Sequence, residues 1–116
     1  MQTTIKKVGV MIDCSRNAVI KVDALKELIV KLSKMGFNVL QLYTEDTLLI
    51  EDEPYFGYLR GGFSASEIKE IVEFALKYEI EVQPCIQTLA HLNCLLQLPK
   101  YEKYKDIDDI DRKSVV

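Results

Sequence analysis

Pro84-Cys85-Ile86-Gln87-Thr88-Leu89-Ala90-His91 is the stretch on which the fold turns. The apolar run Ile80 to Ile86 breaks off there into polar groups and the only histidine of the sequence. Two earlier runs end the same way. Val8 to Ile12 stops at Asp13-Cys14-Ser15-Arg16, and Phe37 to Leu42 stops at Tyr43-Thr44-Glu45-Asp46. Strands that each end in groups able to bind or do chemistry point to a βα fold, where sites form at the carboxyl ends of parallel strands.

The segments between these runs read as helices. Leu25, Leu28, Ile29, Leu32 and Met35 recur at helical spacing, with Lys26, Glu27, Lys31 and Lys34 on the other side. Asp23 is a capping candidate at the start, and Gly36 suits the left-handed residue that ends a helix. A second helix opens on the capping box Ser64-Ala65-Ser66-Glu67 and continues through Ile68, Ile71, Val72, Ala75 and Tyr78. The two units repeat one another. Lys26-Glu27-Leu28-Ile29 matches Lys69-Glu70-Ile71-Val72 at an offset of 43 residues, and Phe37 and Val39 then align with Ile80 and Val82. The repeat breaks at Glu79, which stands where Gly36 stands.

The expected fold class is therefore α/β, with β-α-β-α-β parallel units and right-handed crossovers. Strands are placed at about 7–13, 37–43 and 80–86, and helices at about 23–35 and 65–78. The first strand is apolar on both pleat faces, as in a sheet covered on both sides. Pro84 lacks an amide donor and belongs near a strand end or on an edge. Residues 1–116 form a single domain in this reading, with 99–116 as a charged tail. Asp106, Asp108, Asp109 and Asp111 in that tail lack the central glycine and final glutamate of a calcium loop, so a solvated acidic segment is expected.

Composition narrows the function classes. A net charge of −3 gives no reason to expect a nucleic-acid or anionic-membrane partner. The apolar runs fall well short of the roughly 20 residues that span a bilayer. The polar start, Met1 to Lys7, lacks the apolar core of a signal peptide, so the cytoplasm is the expected location. Cys14, Cys85 and Cys94 are odd in number and form no Cys-x-x-Cys pair. Buried reduced thiols are expected, with no disulfide framework, metal or cofactor; Cys14, at a strand end, is the one with chemical potential.

The strand ends supply the candidates Asp13 and Arg16, then Glu45 and Asp46, then Gln87 and His91. An arginine fork holds adjacent hydroxyls or a carboxylate, and a carboxylate beside an imidazole fixes its tautomer. Each has a plainer reading: Arg16 as a surface ion-pair partner, His91 as a hydrogen-bonded structural histidine, Asp13 as a buried acceptor. The long connection Tyr43 to Phe63 carries Tyr55-Phe56-Gly57-Tyr58 and Arg60-Gly61-Gly62. It reads either as a sugar-binding rim or as a packed loop under an aromatic cluster.

Four ordered strings carry a resemblance. Gly9-Val10-Met11-Ile12-Asp13-Cys14-Ser15-Arg16-Asn17 and Leu42-Tyr43-Thr44-Glu45-Asp46-Thr47 resemble the first two barrel strands of the family 20 glycoside hydrolases, the exo-β-N-acetylhexosaminidases. Pro54 to Gly61 and Pro84 to His91 resemble one branch of that family. The resemblance runs from about Val8 to Asp109 and implies the N-terminal portion of a (β/α)8 barrel. It implies that Arg16 holds hydroxyls of a terminal N-acetylhexosamine, with Asp13 beside it. It also implies that one of Glu45 and Asp46 pairs with His91, which supports the catalytic acid. The implied reaction is substrate-assisted: the acetamido oxygen of the sugar attacks the anomeric carbon.

Departures from the family pattern are equally specific. Gln87 stands where many members carry an aspartate, and no Asp-Glu pair follows His91. The chain is thus expected to be a portion of a barrel, inactive alone for want of the acid. A three-strand portion would leave strand edges exposed, so a homo-oligomer through those edges is expected. A non-enzymatic βα domain that self-assembles or binds a small ligand is the second reading. A flavodoxin-type domain is disfavoured, because no glycine-rich phosphate loop follows the first strand.

Overall fold

The computed structural model describes residues 5–16, 18–87 and 92–104. In chain order the elements are β1 (Gly9–Asp13), α1 (Val22–Lys34), β2 (Val39–Thr44), α2 (Ala65–Leu76) and β3 (Glu81–Ile86). A short helix α3 (Asn93–Leu96) and a 3-10 turn over Pro99–Tyr104 follow. The sheet is parallel throughout in the order β1-β2-β3, with Val10 opposite Leu40 and Leu40 opposite Val82. This is the α/β architecture of consecutive βα units in a partial barrel.

The core lies on the helix side. Leu25, Ile29 and Leu32 of α1 and Ile71 and Ala75 of α2 close over Leu40 and Leu42 of β2. Phe63, Ile80 and Cys14 complete the cluster. Burial of each large side chain contributes on the order of 1.5–3 kcal/mol, so this face supplies most of the stabilisation. The opposite face differs from the two-sided burial expected of β1. Gly9, Met11 and Asp13 are exposed there, and β2 and β3 present Gln41, Tyr43, Gln83 and Cys85 half-buried. Polar groups link across it. Lys7 Nζ lies 2.7 Å from Glu81, Gln83 Nε2 donates to Glu81 Oε1 at 2.9 Å, and Gln41 Nε2 donates to Gln83 Oε1 at 3.1 Å. A concavity of about 390 Å³ lined by Lys7, Met11, Val39, Gln41 and Gln83 opens on this side.

Strand polarity explains Pro84. The Glu81 amide donates to Asn38 O at 2.9 Å, so the alternate amides of Gln83 and Cys85 also face β2. Position 84 then points its nitrogen away from β2, to the open side of this edge strand. A proline there costs the β2–β3 ladder nothing and removes one donor from the edge.

Helix ends depart from the sequence reading in one place. Asp23 does not cap α1; the cap residue is Lys21, which makes no side-chain cap hydrogen bond. Asp23 instead sits in the first turn, where its charge meets the positive end of the helix dipole. At the other end Gly36 adopts φ 87°, Phe37 N donates to Leu32 O and Gly36 N donates to Ser33 O, a Schellman closure. The second unit repeats this bond pattern, with Ile80 N donating to Ala75 O. There Glu79 takes the left-handed position at φ 57°. The charged tail is also revised. Its first part, Pro99–Tyr104, folds as a 3-10 turn that buries Tyr101 with Leu92, Leu95 and Leu96 against Phe56. The acidic positions 106–111 lie outside the described residues.

A left-handed conformation costs an L-residue about 1–2 kcal/mol, partly offset by the extra freedom that glycine gives the unfolded chain. Glu79→Gly is therefore expected to stabilise the protein by about 0.5–1 kcal/mol, and Gly36→Ala to destabilise it by about 1 kcal/mol. Urea denaturation of the two variants beside the parent chain measures both; a loss of stability in Glu79→Gly would contradict the strain.

Candidate functional site

The carboxyl ends of β1 and β2 lie side by side, because Cys14 N donates to Tyr43 O at 2.8 Å. From β1 the chain turns sharply around Asp13. Its Oδ1 accepts from Ser15 N at 2.8 Å and from Ser15 Oγ at 2.6 Å, and the Arg16 amide also donates to this carboxylate. These bonds, the Ser15 hydroxyl foremost, hold the Asp13 carboxyl below its usual range. Asp13 is an acceptor, as the plainer sequence reading had it, but an exposed one rather than a buried one. Arg16 follows with an exposed side chain that makes no ion pair among the described residues. Cys14 points the other way, into the core, where burial pushes its thiol up. It is a packing residue, not a reactive one. Cys85 is half-buried with a free thiol, and the Cys94 side chain lies outside the described residues.

The end of β2 is buried and charged. Glu45 is 9% exposed and Asp46 3%, so both carboxylates have lost most of their water. Arg60 meets them from the long connection. Its Nη1 lies 3.0 Å from Asp46 Oδ1 and 3.6 Å from Glu45 Oε2, and its Nη2 donates to the Ser15 carbonyl oxygen. Two carboxylates thus share one guanidinium. No hydrogen bond is aligned on Asp46 Oδ1 among the described residues, and the buried hydroxyls of Thr44 and Thr47 are likewise without a partner there. The acidic end of β2 still has capacity for a donor.

The connection is pressed onto this strand end. A Cβ at Gly57, φ 68°, would collide with the Asp46 carbonyl oxygen, so only glycine allows the contact. Phe63 N donates to Thr47 O at 3.0 Å and Leu49 N to Phe63 O at 2.8 Å, closing the loop at its base. Its aromatics divide between the two sequence readings. Phe56 packs inward on the α3 cluster, whereas Tyr55 and Tyr58 are about half exposed, their ring centroids 6.0 Å apart. Glu53 fastens the loop to the 3-10 turn through Lys100 and through the Tyr101 hydroxyl at 2.7 Å. Lys100 and Tyr101 draw the Glu53 carboxyl down, while burial, then Glu53, pushes Tyr101 up to about 12. On the inner face the Tyr43 hydroxyl meets the Gln87 side chain, and burial, then the charge of Glu45, raises its pKa.

Arg16, Glu45 and Asp46 are thus brought to one rim, with Asp13 shaping the turn between strand and arginine. His91 lies outside the described residues. Arg60, which the sequence reading left between a ligand-facing rim and a packed loop, points inward onto the acids. The signal that could have found it is charge balance, since two adjacent acids at the end of an apolar strand require a cation when buried.

No family model matches the chain. Bovine hexosaminidase D is 33% identical over a 97-residue alignment that covers 79% of this chain and 26% of that protein. Human hexosaminidase D is 33% identical over 92 residues, covering 75% of this chain and 18% of that protein. This chain therefore spans about a quarter or less of the length of these relatives. A solved β-N-acetylhexosaminidase superposes with a TM-score of 0.83 over 97% of this chain and 29% of its own, at 20% identity. The Streptomyces plicatus β-hexosaminidase solved in complex with the product N-acetylglucosamine gives 0.68 at 28% identity, over 76% of this chain and 20% of its own. In sequence and fold this chain matches the N-terminal portion of the catalytic (β/α)8 barrel of the family 20 glycoside hydrolases.

The Asp13 turn has a pH signature. Its folded pKa is depressed, so its contribution is present above the unfolded aspartate value of 3.8 and is lost as pH falls through the lower folded value. In Asp13→Asn the amide oxygen still accepts from Ser15, and the loss of stability between neutral pH and ~2 is expected to be smaller than in the parent chain. Denaturation midpoints across that range measure it; identical acid limbs would contradict the assignment.

Proposed function

We propose that this chain supplies the terminal-sugar binding part of a family 20 glycoside hydrolase that removes β-linked N-acetylhexosamine. The observation that carries the reading is the juxtaposition at one rim of the exposed Arg16 fork and the buried Glu45–Asp46 pair, in a chain 33% identical to hexosaminidase D.

Each residue has a role in that reaction. Arg16 directs its donors at hydroxyls of the terminal sugar from an exposed position. Asp13 fixes the turn that presents it. One of Glu45 and Asp46 pairs with His91, which supports the catalytic acid. In the reaction the acetamido oxygen bonds to the anomeric carbon as the bond from that carbon to the leaving oxygen breaks. The acid gives its proton to the leaving oxygen, and water then opens the bicyclic intermediate at the anomeric carbon. The acid and the group that orients the acetamide belong in the family to an Asp-Glu pair, and no such pair follows His91 in this sequence. This chain by itself is therefore read as a binder without turnover. Its open β1 and β3 edges favour self-association, and the free thiols of Cys14 and Cys85 fit a reducing cytoplasm.

The contrasting class is a βα domain that assembles or binds some other small ligand. Amide-shift titration with N-acetylglucosamine separates the two. Shifts grouped at Arg16, Glu45 and Asp46, weakened about tenfold or more in Arg16→Ala, are the expected outcome. Absence of any shift would favour the non-enzymatic class, and release of phenolate from an aryl N-acetylglucosaminide by this chain would overturn the proposed inactivity.

A further inference from the structure

We infer that Arg60 is the positioning residue for Arg16, acting from the long connection across the acidic end of β2; this rests on the sugar-binding reading above. Three observations converge on it. The guanidinium is anchored, with only 20% of the side chain exposed, by ion pairs to Asp46 and Glu45. Its other nitrogen donates to the Ser15 carbonyl oxygen, the oxygen of the peptide group that joins Ser15 to Arg16. The opposite side of the same turn is held by Asp13, which collects the Ser15 amide, the Ser15 hydroxyl and the Arg16 amide.

The backbone entering Arg16 is therefore gripped at both polar groups of one peptide plane. Asp13 takes the N–H and Arg60 holds the C=O. The peptide group is planar and the backbone turns only about φ and ψ, so fixing this plane fixes the origin from which the Arg16 side chain, with its own torsions, extends. The connection that carries Arg60 is itself immobilised, at Gly57 against the Asp46 carbonyl and at Phe63 by the Thr47 carbonyl. The distance between the arginine that meets the sugar and the acids beside it is then set by a single guanidinium. Lysine cannot replace it, because one ammonium on a flexible stem lacks the planar fork that reaches a carboxylate and a carbonyl at once.

The charged groups that face Arg60 are Glu45 and Asp46 just after β2, and Lys21 and Glu67, which with Arg60 line a cavity of about 390 Å³. Glu67 is occupied in the capping box of α2, where its side chain accepts from Ser64 N at 2.8 Å. The acidic pair is thus the charge that Arg60 answers, and the Ser15 carbonyl is the additional acceptor that gives it a positional role.

The test compares Arg60→Lys, Arg16→Lys and the double variant in this chain. Arg60→Lys retains a cation against the buried acids and so preserves the fold where Arg60→Met would leave two carboxylates uncompensated. In Arg60→Lys, hydrogen exchange of the Ser15 and Arg16 amides is expected to accelerate about tenfold or more while the core amides of Leu40 and Ile71 do not change. N-acetylglucosamine affinity is expected to fall about tenfold, and the double variant to bind no more weakly than Arg16→Lys, because both act through one guanidinium. Unchanged exchange at Ser15 and Arg16 overturns the inference, as do additive losses of affinity. If the parent chain binds no N-acetylglucosamine, the sugar reading fails, and the exchange comparison still decides the positioning role.

Discussion

Two carboxylates and one guanidinium at the end of β2 set the conditions for everything around them. Burying Glu45 and Asp46 costs several kcal/mol per ion before any partner is supplied. A cation must therefore reach them, and none is available on β2 or its pairing strands at that level. Arg60 comes from a loop, so the loop must lie down on the strand end, which in turn requires a residue without a Cβ at Gly57. The length of the connection is explained by this demand. It must leave the sheet, fold over the acids and return at Phe63 to start α2. Removing one partner of such a pair strands a buried charge, so the loop and the strand end form one structural unit.

A second fastening works outward from the first. Glu53, on the same loop, holds Lys100 and the Tyr101 hydroxyl of the 3-10 turn. Phe56 adds an apolar contact to the small cluster of Leu92, Leu95, Leu96 and Tyr101. The segment after β3 is thus docked on the loop after β2. The rim is built from successive loops that brace one another, the first two through Arg60 and the Ser15 carbonyl, the next through Glu53 and Phe56. This is a means of making a rigid site from irregular backbone, where the ladder bonds of strands are absent.

Much of this was legible in the residues, and the failures share a cause. The strands and helices follow from period and from the 43-residue repeat, since each helix must bury one face on the sheet. Even the left-handed strain at Glu79 could be read from its alignment with Gly36. What period cannot show is which polar groups find one another across loops. Residue type leaves Arg60 open between an outer rim and a packed loop, and it suits Asp23 to a cap position that the helix does not give it. In neither case does residue type fix the position taken. Position is set for Arg60 by its tertiary contact with the buried acids, and for Asp23 by a helix that starts from Lys21. The same limit applies to Tyr101, whose place in a charged stretch hid a buried ring held by Glu53.

The division of labour between the two faces of the sheet has a further consequence. The helix side holds the apolar core, whereas the inner side is linked by hydrogen bonds from Lys7 through Glu81 and Gln83 to Gln41. An apolar inner face would need other strands to exclude water, as the layered interior of a closed barrel does. A polar one tolerates hydration, because each side-chain amide can exchange its partner for water at small net cost. The main apolar cluster of these three strands therefore lies on the face that the helices cover. The rim groups Arg16, Glu45, Asp46 and Arg60 stand at the strand ends, apart from Leu25, Ile29, Leu40 and Ile71. Chemistry at the rim can then change without dismantling the core, provided that the charge balance of the acidic pair is kept.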